Sequence, residues 1–445
     1  MSTEDGTAVS TAFNGIKYEI LLPNSVLNWV KASASPVRSI TASAADDFAD
    51  LAPFGAAVGD ARIVSLTEDT HGDANAYELM NRQVQYLHQK KGFDVLIIES
   101  AMFDTDAVWR SATMKGANLL DLAPGRLFFM YSKVDSARKV LRYVDEQKFS
   151  PRPLTLAGFD EPAGGDTSIK ELVPALTQFL NARGSALPAD PAWGNFASVA
   201  NQAAALTITD KTNTSTFFAM ADRVKAEICP AGKPVSSNLR EDPSWWCLQV
   251  NGLIAAAQRL PIIAKTQLTP RKDPREVQMA ANALWLVTQL YPNKKIIFWA
   301  NSQHGLRTYQ DRCIVEETTC GANEVQVATG SMSMISGQLG KSLYVVKNTP
   351  LSGSISVFES DNTWPISNLP ENILLSLNKL GINQAFINAP TDQNVLTKLN
   401  YVNVLRPDAS KMYTQPILGA EMDGLFVYPR AVPAVKLDLP VVPLP

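Results

Sequence analysis

Four apolar runs of strand length mark the chain between residues 61 and 300: ARIVSL at 61–66, DVLIIE at 94–99, PLTLAG at 153–158 and KIIFWA at 295–300. A strand with one face in water alternates apolar and polar positions. These runs are almost continuously apolar, as in a parallel sheet covered by helices on both faces. The segments between them supply such helices. In DANAYELMNRQVQYLHQKKGF, Tyr77, Met80, Val84 and Leu87 recur at helical spacing, and Gly92 follows as a stop signal. SKVDSARKVLRYVDEQ repeats the arrangement ahead of the run at 153. The pattern predicts successive strand, helix, strand units and an α/β fold with a mostly parallel central sheet.

That alternation breaks between residues 161 and 270. Helical stretches such as IKELVPALTQFLNARG and WWCLQVNGLIAAAQRL are joined there by EPAGGD, GSALPADPAWG and CPAGKPVSSN, which predicts a helical insertion forming one wall or lid of a cleft. Residues 1–60 read as a lead-in with short helices at VLNWVKASA and TASAADDFADLAPF. After Cys320 the pattern predicts a strand at SLYVVKN, a helix at ENILLSLNKLG, short strands around AFINA and GLFVYP, and a Pro-rich tail. The main α/β domain is thus expected over 61–350, with 351–445 as its C-terminal part.

Composition narrows the choice of partners. The 445 residues are 46% hydrophobic and 19% charged, the balance of a folded globular chain. Lys and Arg total 40 against 43 Asp and Glu, a net charge of -3 that offers no field for gripping a phosphate backbone, so no nucleic acid is expected. No run approaches the roughly 20 apolar residues of a membrane span, and the chain opens on the polar MSTEDG. Its four cysteines form two local pairs, Cys229 with Cys247 and Cys313 with Cys320. Two disulfides suit that layout and imply a periplasmic or secreted protein whose export signal has been removed; four free thiols would fit the cytoplasm instead.

In an open parallel sheet, ligands bind outside the carboxyl ends of the strands. Four strands end on polar groups: the first runs into Glu68 and His71, the second ends at Glu99, the third runs into Asp160 and Glu161, and the fourth leads to Asn301 and His304. The chain has three histidines, and two of them fall at these ends. A neutral imidazole can take a proton from water while a neighbouring carboxylate steadies the imidazolium. His71, Glu68, Glu99 and His304 are therefore the candidate catalytic group, with Arg82 as a candidate oxyanion donor. Asp73 or Thr70 could equally cap the following helix. His88, beside Gln89 and Lys90 in a helix, reads as a surface or partly packed residue. No GxSxG, HExxH, GxxxxGK[ST] or GxGxxG element occurs, and no cofactor is implied. Two glutamates and two histidines could also hold a divalent metal.

The run SLTEDTHGDANAYELMNRQVQYLHQKKGFDVLIIES resembles the leading motif of the erythromycin esterase family: a strand, Glu-x-x-His-Gly, a long helix, Gly-Phe and a second strand ending in Glu. PREVQMAANALWLVTQLYPNKKIIFWANSQH is similar to the family's Arg-Asp-x-x-Met-Ala-x-Asn-x-x-Trp-Leu helix and its Trp-Ala-His-Asn-x-His strand end, and GFD at 158–160 and GQLGKSLYVV at 337–346 match weaker patterns in the same order. The resemblance covers about residues 60–350. It implies hydrolysis of an ester or lactone by water activated on His71, with Glu68 and Glu99 as carboxylate partners and His304 as a second site histidine, and it links the chain to antibiotic resistance or secondary metabolism. Three positions depart from the pattern. Thr67 stands where a glycine precedes the first glutamate, Asn301 replaces a histidine, and Met80 replaces a basic residue. Arg82 lies about 200° around the helix from Met80 and does not substitute for that charge.

The expected function is an esterase or lactonase acting on a mid-sized, largely apolar ester or lactone, with Trp193, Trp245 and Trp246 of the insertion as apolar walls or as core packing. Two other readings stay open: a non-hydrolytic binding or biosynthetic protein of transferase or cyclase type on the same scaffold, and a metal-dependent hydrolase.

Overall fold

A sheet of eight strands carries the fold. Seven of them are β1 (Ile63–Glu68), β2 (Val95–Ala101), β3 (Thr155–Asp160), β4 (Ile296–Asn301), β5 (Leu343–Pro350), β6 (Ala385–Asn388) and β7 (Gly424–Tyr428); the two-residue Ser35–Pro36 completes one edge. Across the sheet the order is Ser35–Pro36, β6, β7, β5, β1, β4, β2, β3. From β7 to β3 every pairing is parallel, and β6 pairs antiparallel with both β7 and Ser35–Pro36. The computed structural model describes residues 5–13, 16–229, 238–263, 273–308, 330–358, 362–366, 372–399, 403–406 and 418–445.

The unbroken apolar character of the strands follows from their two covered faces. Successive side chains point to opposite sides of a strand. Ile63, Val95, Ile97, Ile296 and Phe298 enter one core, whereas Val64, Leu66, Leu96, Ile98, Ile297 and Trp299 enter the other. The second face is covered by α1 (Ala74–Lys91) and α2 (Arg138–Gln147). Asp73 caps α1 by accepting the Asn75 amide at 2.9 Å, and Gly92 ends it at a φ of 75°. Of the two capping candidates, Asp73 holds that place.

On the first face pack the helices of the insertion, α3 (Asp166–Ala182), α4 (Trp193–Ala204), α5 (Ser215–Ile228) and α6 (Pro243–Ile263), and then α7 (Pro274–Trp285), which leads back to β4 at the centre of the sheet. A Cys229–Cys247 disulfide ties the end of α5 to the start of α6. Cys313 and Cys320 lie outside the described residues.

One terminal segment differs from its expected form. Ahead of the helix Asn24–Ser33, residues Gly6–Phe13 and Ile16–Pro23 pair as an antiparallel hairpin, where only helices were expected. Alternation over KYEILLP carries that strand signal. The Pro-rich tail is docked: Val432 and Ala434 donate amides to the Asp73 carboxylate and the Gly72 carbonyl, and Leu437 donates to the Lys133 carbonyl at 2.7 Å. Arg126 Nη2 holds the Val442 carbonyl at 2.7 Å. The tail therefore straps the start of α1 and the 126–135 segment.

Candidate active site

Strand register brings the polar ends together. Glu68 of β1 lies opposite Asn301 of β4, and Ile98 of β2 lies opposite Trp299, so Glu99 comes level with the end of β4. Between β2 and β3 the pairing is irregular from Ile98 to Ala101, a bulge of the kind that turns a strand end toward a site. Gly158 of β3 is required there, because a Cβ would come within 2.4 Å of the Ser100 carbonyl.

Glu68 is fully buried, with Oε2 accepting the Trp299 indole N–H at 3.2 Å and Oε1 lying 3.0 Å from His71 Nδ1, off the ideal hydrogen-bond line. Burial raises its pKa, opposed by His71. The His71 ring stands edge-on to Phe128 and Tyr131, at 5.3 and 5.8 Å between centroids. Its other nitrogen, Nε2, is 3.7 Å from Glu99 Oε2. Burial lowers the His71 pKa, but the charges of Glu99 and Glu68 outweigh it and leave the pKa above its ordinary value.

Glu99 is the hub. One oxygen accepts the Asn301 amide at 3.0 Å; the other meets His304 Nε2 at 3.1 Å and Arg275 Nη2 at 3.2 Å. Burial opposes its charge, yet His304, His71 and Arg275 hold the carboxyl well below the usual range. His304 has a second carboxylate on its far side, Glu276 Oε1 at 2.6 Å from Nδ1. Despite burial, Glu99 and Glu276 push its pKa up to about 10. His304 is therefore held as a buried cation near neutral pH, whereas His71 has one carboxylate in contact and the other across a 3.7 Å gap. Asn301 accepts the Gln303 amide at 3.0 Å and so fixes the turn carrying His304.

Asp160 binds Arg275 in a bidentate pair, at 3.0 Å to Nε and 2.6 Å to Nη2. Glu161 meets Arg259 at 2.5 Å, while its other oxygen is buried without a partner. Desolvation raises the Glu161 carboxyl to about 7. His71, Glu99, Asp160, Asn301 and His304 line one cleft of about 780 Å³, to which the insertion contributes Glu161, Gly164, Leu206 and Arg259.

Several expected positions lie elsewhere. Arg82 is fully buried on the far side of α1, bidentate to Asp46 and Asp50, so it stabilises the lead-in and gives no donor to the cleft. Trp245 and Trp246 are buried against Phe103 and Trp193 against Phe196; these three are core residues rather than cleft walls. His88 is buried too, with Nδ1 2.6 Å from the Tyr143 hydroxyl, not on the surface. Met80 packs in the apolar core, and the Thr67 hydroxyl donates to the Val346 carbonyl. For the metal reading, the group whose donor atoms converge within 4.8 Å among the described residues is Asp46, Asp47 and Asp50, which Arg38 and Arg82 already bind. Arg275 and Glu276 were not among the expected site residues: they open α7 within PREVQMAANALW, away from any strand end.

The sequence profile of the erythromycin esterase family matches residues 88–321. A Bacillus subtilis (strain 168) protein, YbfO, whose name assigns it only provisionally as a hydrolase, is 24% identical over 304 residues, 62% of this chain. The alignment spans 63% of that relative's length. Among solved structures, a Bacillus cereus protein superimposes with a TM-score of 0.69 at 18% identity, covering 93% of this chain and 99% of its own. A succinoglycan biosynthesis protein gives 0.69 at 15% identity, with 93% and 98% covered. A histidine-to-asparagine mutant of the erythromycin esterase EreC, in its open conformation, gives 0.64 at 15% identity, covering 92% and 100%. These structures share the fold.

Proposed function

The chain belongs to the erythromycin esterase family, and from that premise we propose that it is a hydrolase cleaving an ester or lactone bond with a water activated by His71. One observation carries the reading. His71 is anchored by Glu68 through Nδ1, while Nε2 stands 3.7 Å from Glu99 at the cleft, close enough for one water about 2.8 Å from each to touch both. In this scheme Nε2 takes a proton from that water as its oxygen attacks the carbonyl carbon. The carbon–oxygen ester bond then breaks, and the imidazolium returns the proton to the leaving alkoxide, giving an acid and an alcohol. Arg275 takes the oxyanion role first considered for Arg82; it lines the cleft, and its Nη1 lies 3.4 Å from His304 Nε2.

The departures from the family pattern support retained hydrolysis over a purely binding protein. Met80 is absorbed into the core and Asn301 into a turn, and neither disturbs the Glu68, His71, Glu99 set. A panel of 4-nitrophenyl esters and macrocyclic and simple lactones, assayed with wild type and His71→Ala, tests the proposal. Turnover by wild type that survives in the variant would remove His71 as the base. The disulfide also supports an oxidising compartment. Its 18-residue spacing should be worth about 3 kcal/mol, read as the difference in urea unfolding between wild type and Cys229→Ser/Cys247→Ser.

A further inference from the structure

Charge is distributed unevenly between the cleft and the rest of the chain. The chain carries a net charge of -3, yet the cleft is lined by Arg126, Lys133, Arg259, Arg275 and Lys436 against Glu99, Asp160 and Glu161. Each of those carboxylates is already matched inside: Asp160 by Arg275, Glu161 by Arg259, and Glu99 by Arg275 and His304. Arg126 spends its two terminal nitrogens on the carbonyls of Leu122 and Val442. What remains is a surplus of positive charge.

Lys133 and Lys436 make up that surplus. Among the described residues, no carboxylate oxygen lies within ion-pair distance of either ammonium, those of the chain neighbours Asp135 and Asp438 included. Their proximity is built by the backbone. Val134 and Lys436 form an antiparallel bridge, Leu437 donates to the Lys133 carbonyl, and Asp135 donates to the Val435 carbonyl. Two like charges some 300 residues apart in sequence are thus both brought to the lining of the cleft. Lys436 sits over the Phe129 ring at 4.8 Å, Phe129 abuts Phe128 at 5.4 Å, and Phe128 abuts His71 at 5.3 Å. The cation therefore stands no more than about 16 Å from His71, across an aromatic floor.

We propose that Lys133 and Lys436 form an anionic subsite, so that the ester cleaved at His71 carries a carboxylate-type negative charge at its far end, with the connecting chain lying over Phe128 and Phe129. This rests on the hydrolytic reading above and replaces the expected largely apolar substrate with a charged one. Mono-4-nitrophenyl esters of dicarboxylic acids, from glutarate to sebacate, are compared with 4-nitrophenyl esters of fatty acids of equal length. Wild type should favour the charged member of a matched pair by about tenfold in kcat/KM, with an optimum chain length. Lys133→Met/Lys436→Met should bring that ratio to near one, and 0.5 M salt should compress it in wild type. A wild-type ratio near one, or a ratio kept in the double variant, overturns the subsite. Should the double variant fail to fold, Lys436→Met, at an exposed position of the tail, and the salt dependence decide. If neither ester turns over, hydrolysis fails instead. Calorimetric binding of free suberate then decides the subsite: binding lost in the variant supports it, and no binding by wild type overturns it.

Discussion

The two histidines of the cleft share a carboxylate but not an environment. His71 has one nitrogen against Glu68 and the other 3.7 Å from Glu99, and its side chain keeps 16% exposure. His304 is closed on both sides, by Glu99 at 3.1 Å and Glu276 at 2.6 Å, and keeps 6%. Two carboxylates in direct contact fix a proton; one contact and one gap leave a nitrogen that can exchange it. Residue type at a strand end marks the candidate site, whereas the second carboxylate is what distinguishes the two histidines. His71 fits a base, and His304 fits a fixed cation that positions Glu99.

Substitution separates the two most strongly. His71→Ala should lower kcat/KM on a hydrolysed ester by about 10³-fold with the fold intact by circular dichroism. His304→Asn should cost less activity and more stability, because it strands Glu99 and Glu276 in a buried site. Equal losses in rate would erase the distinction. Glu99→Gln acts on both halves: kcat/KM should fall roughly 10- to 100-fold, and the acid limb of the pH-rate profile should move to lower pH because His71 loses the charge that favours its imidazolium. An unmoved limb would mean that Glu99 does not act through His71.

The last effect is thermodynamic. His304 has a folded pKa of about 10, above its ordinary 6.5. The native state therefore binds the proton more tightly than the unfolded chain. Its stabilisation is complete below about pH 6.5 and is lost as pH rises toward 10, at up to about 1.4 kcal/mol per pH unit. Urea unfolding of wild type and His304→Asn across that range should show the slope in the first and its flattening in the second.

Much of this was legible in the sequence. Continuous apolar runs pointed to the parallel sheet, and the polar groups at their ends pointed to Glu68, His71, Glu99, Asp160, Asn301 and His304, which the fold brings near one another. What escaped depends on contacts distant in sequence. Arg82 was considered for the cleft, but Asp46 and Asp50, more than 30 residues earlier, hold it on the other side of α1. Arg275 and Glu276 reach Glu99 and His304 from the first turn of α7, a convergence that local periodicity does not report. His88 was misplaced for a nearer reason: Gln89 and Lys90 look exposed, but His88 follows Val84 by four residues and so extends the buried stripe of α1. The tail strap that delivers Lys436 carries no periodic signal, since Pro-rich segments pair through irregular backbone contacts.

The division of roles is most directly tested by titrating the ring nitrogens of ¹⁵N-histidine-labelled protein, with the three residues assigned from single variants. His88, whose pKa burial lowers, should lose its proton first, and His304, held between two carboxylates, should keep its proton until near pH 10; His71, with one carboxylate in contact and the other across a 3.7 Å gap, should exchange its proton before His304. A His304 that is neutral near pH 7, or a His71 that stays charged after His304 has titrated, would contradict the assignment of His71 as base and His304 as fixed cation.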